Sequence, residues 1–242
     1  MKNAHDKISL VIPVYNEADN LPILYEEVVA ALAGIDREWE LLFIDDGSRD
    51  LSLQVIRGLA DADERVRYLA FVENCGQSAA FAAGFREAAG EVVVTMDADL
   101  QNDPRDIPAM LEAYASRGQD MVIGWRASRQ DSWGKRVAST IANRVRNRIS
   151  RETVRDTGCS LKVMRTAMLR NIPMFNGMHR FLPTLMKLEG ARVAEVRVNH
   201  RPRLKGVSKY GVWDRALAAS YDLLAVRWMQ KRHIRYRVRE KR

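Results

Sequence analysis

Apolar and polar positions in the first half of the chain follow two alternating rhythms. Nearly continuous apolar runs occupy positions 8–14, 39–45, 66–72, 91–97 and 120–125. Runs of that length, without polar alternation, predict strands covered on both faces. Between them, apolar residues recur at helical spacing near 18–33, 50–61, 77–89 and 107–116. Strands and helices taking turns predict an α/β fold, an open and mostly parallel sheet flanked by helices. Such sheets bind ligands beyond the carboxyl ends of their strands. The polar clusters fall there: Tyr15-Asn16-Glu17 after the first predicted strand, Asp45-Asp46-Gly47-Ser48 after the second, and Asp97-Ala98-Asp99 after the fourth.

The second half is less regular. Positions 133–149 predict a basic helix with Ile141, Val145 and Ile149 on one side. Strands are predicted at 159–164 and 193–199, a helix at 180–189 and an Arg/Lys/Pro/Gly-rich loop at 201–211. Positions 212–229 predict an amphipathic helix with Trp213, Leu217, Tyr221, Leu224 and Trp228 along one stripe, followed by a basic tail.

Length and composition narrow the class. At 242 residues, 47% hydrophobic and 29% charged, the chain fits one large α/β domain with an appendage and excludes a disordered or coiled-coil protein. Cys75 and Cys159 are too few for a disulfide scaffold and fit a reducing cytosol. Met1 to Lys7 lacks the apolar core of a signal peptide, and no apolar run reaches bilayer length. Of the formal charge of +8, most is local. Seven basic residues oppose only Glu240 from Lys231 to Arg242, and nine oppose Asp131 and Glu152 from Trp125 to Arg155. Such clustering points to an anionic partner: phosphates, a lipid surface or nucleic acid.

Carboxylates two apart at a strand end, Asp97 and Asp99, suit a shared hard divalent ion, with Gln101 as a neutral oxygen ligand. Magnesium or manganese held in this way neutralises a nucleotide diphosphate leaving group. By itself the triplet reads more readily as a solvated acidic turn, and Asp-Gly-Ser as a helix-leading turn.

Val11-Ile12-Pro13-Val14-Tyr15-Asn16-Glu17, Asp45-Asp46-Gly47-Ser48 and Asp97-Ala98-Asp99 together resemble family 2 glycosyltransferases of the GT-A fold, a Rossmann-like fold of nucleotide-diphospho-sugar transferases. The resemblance runs over roughly 8–230. Asn74-Cys75-Gly76-Gln77 looks like the family's N-x-G-x-x-x-A loop, and Gly124-Trp125-Arg126, Arg129-Gln130-Asp131-Ser132, Asp156-Thr157-Gly158-Cys159-Ser160 and Lys205-Gly206-Val207-Ser208-Lys209-Tyr210 look like the branch that makes dolichol- or undecaprenyl-phosphate sugars. The Q-x-x-R-W motif of processive synthases is missing.

The resemblance implies a nucleotide-sugar site of Pro13, Tyr15, Glu17, Asp45, Asp46 and Asp97, and a Mg²⁺ or Mn²⁺ site of Asp97, Asp99 and Gln101. It implies that Arg126, Arg136 and Ser139 hold the acceptor phosphate, with Arg129 and Lys135 open to serve in place of either arginine. Arg203, Ser208 and Lys209 match a basic loop over the donor diphosphate. A lipid monophosphate is already anionic at neutral pH and needs steering more than a base; Asp99 is the candidate if a base assists, though its metal role ranks first. The expected organisation is a catalytic domain at 1–211, with a nucleotide-sugar half at 1–125 and an acceptor half at 126–211, then the helix and tail at 212–242.

The expected activity is metal-dependent, inverting sugar transfer from a nucleotide donor to a polyprenyl phosphate. The expected place is cytoplasmic, peripheral on the inner face of the cytoplasmic membrane, with the 212–229 helix on an anionic lipid surface. A transferase with a soluble saccharide or protein acceptor is the first alternative. A non-catalytic basic module for membrane or nucleic acid is the second, and nucleic acid is not expected because acidic motifs at the strand ends would repel it.

Overall fold

The structure, a computed structural model, describes residues 7–126, 152–202, 212–234 and 240, and for 212–220 the backbone alone. Seven strands form one sheet in the order β3-β2-β1-β4-β6-β5-β7. They are β1 (Ile8–Val14), β2 (Trp39–Asp45), β3 (Val66–Ala70), β4 (Val92–Thr95), β5 (Met121–Arg126), β6 (Lys162–Arg165) and β7 (Val193–Val198). All pairings are parallel except those of β6, which runs antiparallel between β4 and β5. The mostly parallel sheet read from the sequence is therefore present, with one reversed strand between β4 and β5.

The apolar runs form central strands because both faces are covered. Every residue of β2 and β4 is buried, as is all of β1 except Pro13. The flanking helices are α1 (Leu21–Leu32), α2 (Ser52–Ala62), α3 (Gln77–Glu87), α4 (Ile107–Ser116), α5 (Thr166–Leu169), α6 (Leu182–Leu188) and α7 (Val212–Arg232). Helix α1 buries Leu21, Leu24, Val28 and Leu32, one stripe at helical spacing. Helix α3 lies close against the sheet at Gly84, where a Cβ would overlap the Val11 side chain.

Several predicted strands are shorter than expected, β3 and β4 among them. β4 stops at Thr95 because the next turn takes other hydrogen bonds: the Asp97 N–H reaches Asn102 Oδ1 at 3.3 Å and Leu100 adopts φ +60°. β3 stops at Ala70, and Val72 is fully exposed beyond it. The strand predicted at 159–164 occupies Lys162–Arg165, and the helix predicted at 180–189 is a 3₁₀ turn at Met178–Arg180 followed by α6. The short α5 has no counterpart in the sequence reading. The basic helix predicted at 133–149 lies outside the described residues.

On α7, Leu223 and Val226 are buried in the core cluster. The stripe read from the sequence faces the other way: Tyr221, Leu224 and Trp228 are 78%, 65% and 64% exposed. Helix α7 is apolar on two faces, one against the domain and one against solvent.

Candidate functional site

Register places three loops along one edge of the sheet. Val14 aligns with Asp45, so β1 and β2 end together, and Thr95, the last residue of β4, aligns with Val11, three residues earlier at the same edge. The first two loops interlock through side chains. Ser48 Oγ accepts from the Asn16 N–H at 3.0 Å, Asn16 Oδ1 from the Arg49 N–H at 2.7 Å, and Ser52 Oγ from the Glu17 N–H at 2.8 Å. Asn16 sits at φ +54°, a conformation asparagine tolerates better than most residues. Tyr15 and Glu17 are half-buried in this loop, and Glu17 Oε2 accepts from Asn20 Nδ2 at 2.6 Å.

The two aspartates of the second loop do different work. Asp46 turns toward the loop before α3, where its carboxylate accepts from the Cys75 N–H at 2.7 Å, the Gly76 N–H at 2.9 Å and Asn74 Nδ2 at 2.9 Å. Burial nevertheless pushes its carboxyl above the usual range, and neighbouring Asp45 adds to that. Gly47 permits the close approach: its φ is +67°, and a Cβ would overlap the Glu73–Asn74 backbone. Asp45 is 1% exposed; Oδ2 accepts from the Ser48 N–H at 3.3 Å, while Oδ1 is buried with no hydrogen-bond partner among the described residues. A buried carboxylate oxygen without a donor is costly unless a ligand supplies one.

Asp97 and Asp99 flank Ala98 just past β4. Asp97 Oδ1 accepts from Gln77 Nε2 at 2.8 Å, and Asp99 Oδ1 from the Gln101 N–H at 3.2 Å. Burial and the charge of Asp99 push the Asp97 carboxyl up, against hydrogen bonding from Ser160 and the positive charges of Lys162 and Arg126. Two hard carboxylates at one strand end, the charge of Asp99 raising the proton affinity of Asp97, fit a divalent cation. Among the described residues no group of three or more His, Cys, Asp or Glu surrounds one point. A cation held by Asp97 and Asp99 therefore needs further oxygens from a ligand, as Mg²⁺ usually takes them from phosphates.

Beneath the pair, Asn102 Oδ1 accepts from Ser160 Oγ at 2.7 Å, and Thr95 Oγ1 donates to the Ser160 carbonyl at 2.7 Å. The buried Lys162 ammonium donates to the Cys159 carbonyl, and burial pushes its pKa down. Arg126, at the end of β5, meets Asp156 through Nε at 2.7 Å and Nη2 at 3.0 Å. Among the described residues its Nη1 has no hydrogen-bond partner.

A family model described as glycosyl transferase family 2 matches residues 9–172. The chain belongs to glycosyl transferase family 2. It is 37% identical over 229 residues to a dodecaprenyl-phosphate galacturonate synthase of Rhizobium johnstonii, covering 93% of this chain and 68% of that one. It is 38% identical over 218 residues to an undecaprenyl-phosphate 4-deoxy-4-formamido-L-arabinose transferase of Pectobacterium atrosepticum, covering 90% and 66%. The chain thus spans about two thirds of the length of these polyprenyl-phosphate sugar transferases. Its fold matches glucosyl-3-phosphoglycerate synthase from Mycobacterium tuberculosis in complex with Mg²⁺ and UDP, at a TM-score of 0.68 and 19% identity over 94% of this chain and 80% of that one.

In this family 2 glycosyltransferase, Pro13, Tyr15, Glu17, Asp45, Asp46, Asp97, Asp99 and Gln101 gather at the ends of β1, β2 and β4, with Arg126 on β5. Arg136, Ser139, Arg203, Ser208 and Lys209 lie outside the described residues. The sequence reading singled out no function for Gln77, Asn102 or Lys162, which meet the site only through tertiary contacts. Cys159 is buried and His179 half-buried. His179 Nδ1 lies 2.7 Å from Ser78 Oγ, and burial pushes the imidazole pKa down to about 3, so the ring is neutral.

Proposed function

We propose that this family 2 glycosyltransferase moves a sugar, with inversion, from a UDP- or GDP-sugar to a polyprenyl phosphate such as undecaprenyl phosphate, using Mg²⁺ or Mn²⁺. It works as a peripheral protein on the inner face of the cytoplasmic membrane. The observation that carries this is the adjoining pair Asp97 and Asp99, held at the sheet edge beside the unpartnered Asp45 oxygen. Two carboxylates short of a full ligand set call for a diphosphate, and a buried acceptor two strands away suits the N–H of a base.

In this reading Pro13, Tyr15, Glu17, Asp45 and Asp46 form the nucleoside side. Asp97, Asp99 and Gln101 hold the cation, which when bound offsets the charge that develops on the leaving diphosphate. Arg203, Ser208 and Lys209 cover that diphosphate. Arg126, Arg136 and Ser139 receive the acceptor phosphate; Asp156 fixes the Arg126 fork and leaves Nη1 to reach it. An ionised phosphate oxygen attacks the anomeric carbon without surrendering a proton. The names of the relatives support the acceptor, and the Mg²⁺–UDP complex of the structural neighbour supports the donor and cation.

The membrane reading is supported by α7. Its outward Tyr221, Leu224 and Trp228 lie beside Lys231 and Arg232, and each such cation adds about 1 kcal/mol near anionic lipid. No helix among the described residues is long and apolar enough to cross a membrane.

The test is product analysis by mass spectrometry with undecaprenyl phosphate, detergent, Mg²⁺ or Mn²⁺ and a panel of UDP- and GDP-sugars. A sugar-phosphate-lipid product is expected. Asp97→Asn should lower its formation by about 100-fold or more, since cation stabilisation is worth several kcal/mol. A glycosylated water-soluble acceptor, with none on lipid phosphate, would assign the other acceptor class.

A further inference from the structure

Gln77 opens α3, directly after the loop that Asp46 clasps. It is half-buried, and its side-chain amide donates to Asp97 Oδ1 at 2.8 Å. Its backbone is held from both sides. The residues before it, Cys75 and Gly76, give their N–H groups to the Asp46 carboxylate at 2.7 and 2.9 Å. The residue after it, Ser78, accepts from the Gly177 N–H at 2.9 Å and meets His179 Nδ1 at 2.7 Å. An amide anchored on both flanks reaches one place and presents an N–H there.

What it reaches is the carboxylate pair read above as a cation site. A carboxylate oxygen that accepts from a fixed donor has its plane set and its other oxygen aimed, which is how outer partners tune metal ligands. Asp97 takes this support from Gln77 on the α3 side; on the β6 side Ser160 gives its hydroxyl proton to Asn102 Oδ1. The α3 support belongs to the same loop as the Asp46 clasp, so the nucleoside side and the cation side of the site share one short stretch of backbone.

We infer that Gln77 is a positioning residue for the divalent cation: it orients Asp97 and ties that orientation to the 74–76 loop clasped by Asp46. This rests on the reading of Asp97 and Asp99 as the cation's carboxylates. It gives the Asn74-Cys75-Gly76-Gln77 motif a role at the cation as well as beside the nucleotide.

The experiment uses the full chain and its Gln77→Met and Gln77→Ala variants. Methionine keeps most of the side-chain volume and removes the donor, so it separates the hydrogen bond from packing. Mn²⁺ binding is measured directly, by electron paramagnetic resonance of the free ion, with UDP or GDP present. Binding of the same nucleotide without metal and the melting temperature are measured in parallel. Both variants should bind Mn²⁺ about 10-fold or more weakly. Metal-free nucleotide affinity should stay within about twofold and the melting temperature within a few degrees, a pattern that general loosening does not give. Unchanged Mn²⁺ affinity, or a loss matched by equal losses in nucleotide binding and melting temperature, would overturn the inference. If the unmodified chain binds no Mn²⁺ with either nucleotide, the cation reading itself falls and takes this one with it.

Discussion

Asp45 and Asp46 are neighbours in sequence with opposite energetic roles. Asp46 satisfies two backbone N–H groups and an asparagine amide, so Asp46→Ala leaves these part-buried donors without their acceptor. It should destabilise the fold by about 2–3 kcal/mol, read by chemical denaturation. Asp45 keeps one oxygen unpartnered, so Asp45→Ala should cost the fold under about 1 kcal/mol. Calorimetry should then show nucleotide binding weakened by about 10-fold, the loss expected when a charged hydrogen bond is removed. Equal destabilisation by both variants would refute the division. At the opposite end of the sheet Glu40 is buried in β2. Burial pushes its carboxyl up, but donors from Ser9, the Ala89 N–H and Arg67, with the Lys7 charge, hold it below its ordinary value of 4.5. A carboxyl lowered on folding contributes stability above its unfolded pKa, and that contribution is lost as pH falls through the folded value. Denaturation midpoints between pH 7 and 3 should therefore fall on the acid side, and Glu40→Gln should flatten that fall while lowering stability at pH 7. The strand-end acids were legible from the sequence because each follows an apolar run. Glu40 was not, because it looks like one polar residue inside such a run and its partners Ser9 and Ala89 are 31 and 49 positions away.

The elements divide in the same way. β1, β2 and β4 were legible because burial on both faces leaves a continuous apolar signature. The reversed direction of β6 was not, since a four-residue strand reads the same in either sense and only its pairing with β4 and β5 decides. Helix α7 was half legible: the Tyr221, Leu224 and Trp228 stripe is real, but Leu223 and Val226 hold the helix to the core. That separation makes the membrane reading testable without unfolding the protein. Leu224→Gln with Trp228→Gln should leave the melting temperature within a few degrees, because both side chains are already mostly in water. Co-sedimentation with vesicles of anionic phospholipid should fall by about 10-fold or more, since fully burying each side chain is worth about 1.5–3 kcal/mol. Retained sedimentation that disappears only in high salt would assign binding to the basic residues alone.

Across the whole molecule, topology brings the roots of the proposed acceptor segment to the edge that carries the proposed donor site. β5 runs parallel to β4 and ends at Arg126, beside the cation pair; β6 is antiparallel and begins at Lys162, at the same edge. The chain from 127 to 161 therefore leaves and re-enters the sheet on the side where Asp45, Asp97 and Asp99 lie. β7, parallel to β5, also ends there at Val198 and leads toward the 203–211 segment. The antiparallel strand thus brings the chain back to that edge, and the Arg126–Asp156 pair ties the end of β5 to the chain before β6. In the proposed reading, which makes the intervening segment an acceptor site, the sheet does not need residues 129–150 to form. Adjacent strands lie about 5 Å apart, a gap that a short linker spans easily. Replacing 129–150 with six Gly/Ser residues should preserve cooperative unfolding and leave nucleotide binding within about threefold by calorimetry, because linker length alters closure only slowly. Transfer to lipid phosphate should vanish, because the basic residues meant to receive that phosphate are gone. Loss of nucleotide binding in a variant that still unfolds cooperatively would show instead that the segment completes the donor site, and the division between donor edge and acceptor insertion would be wrong.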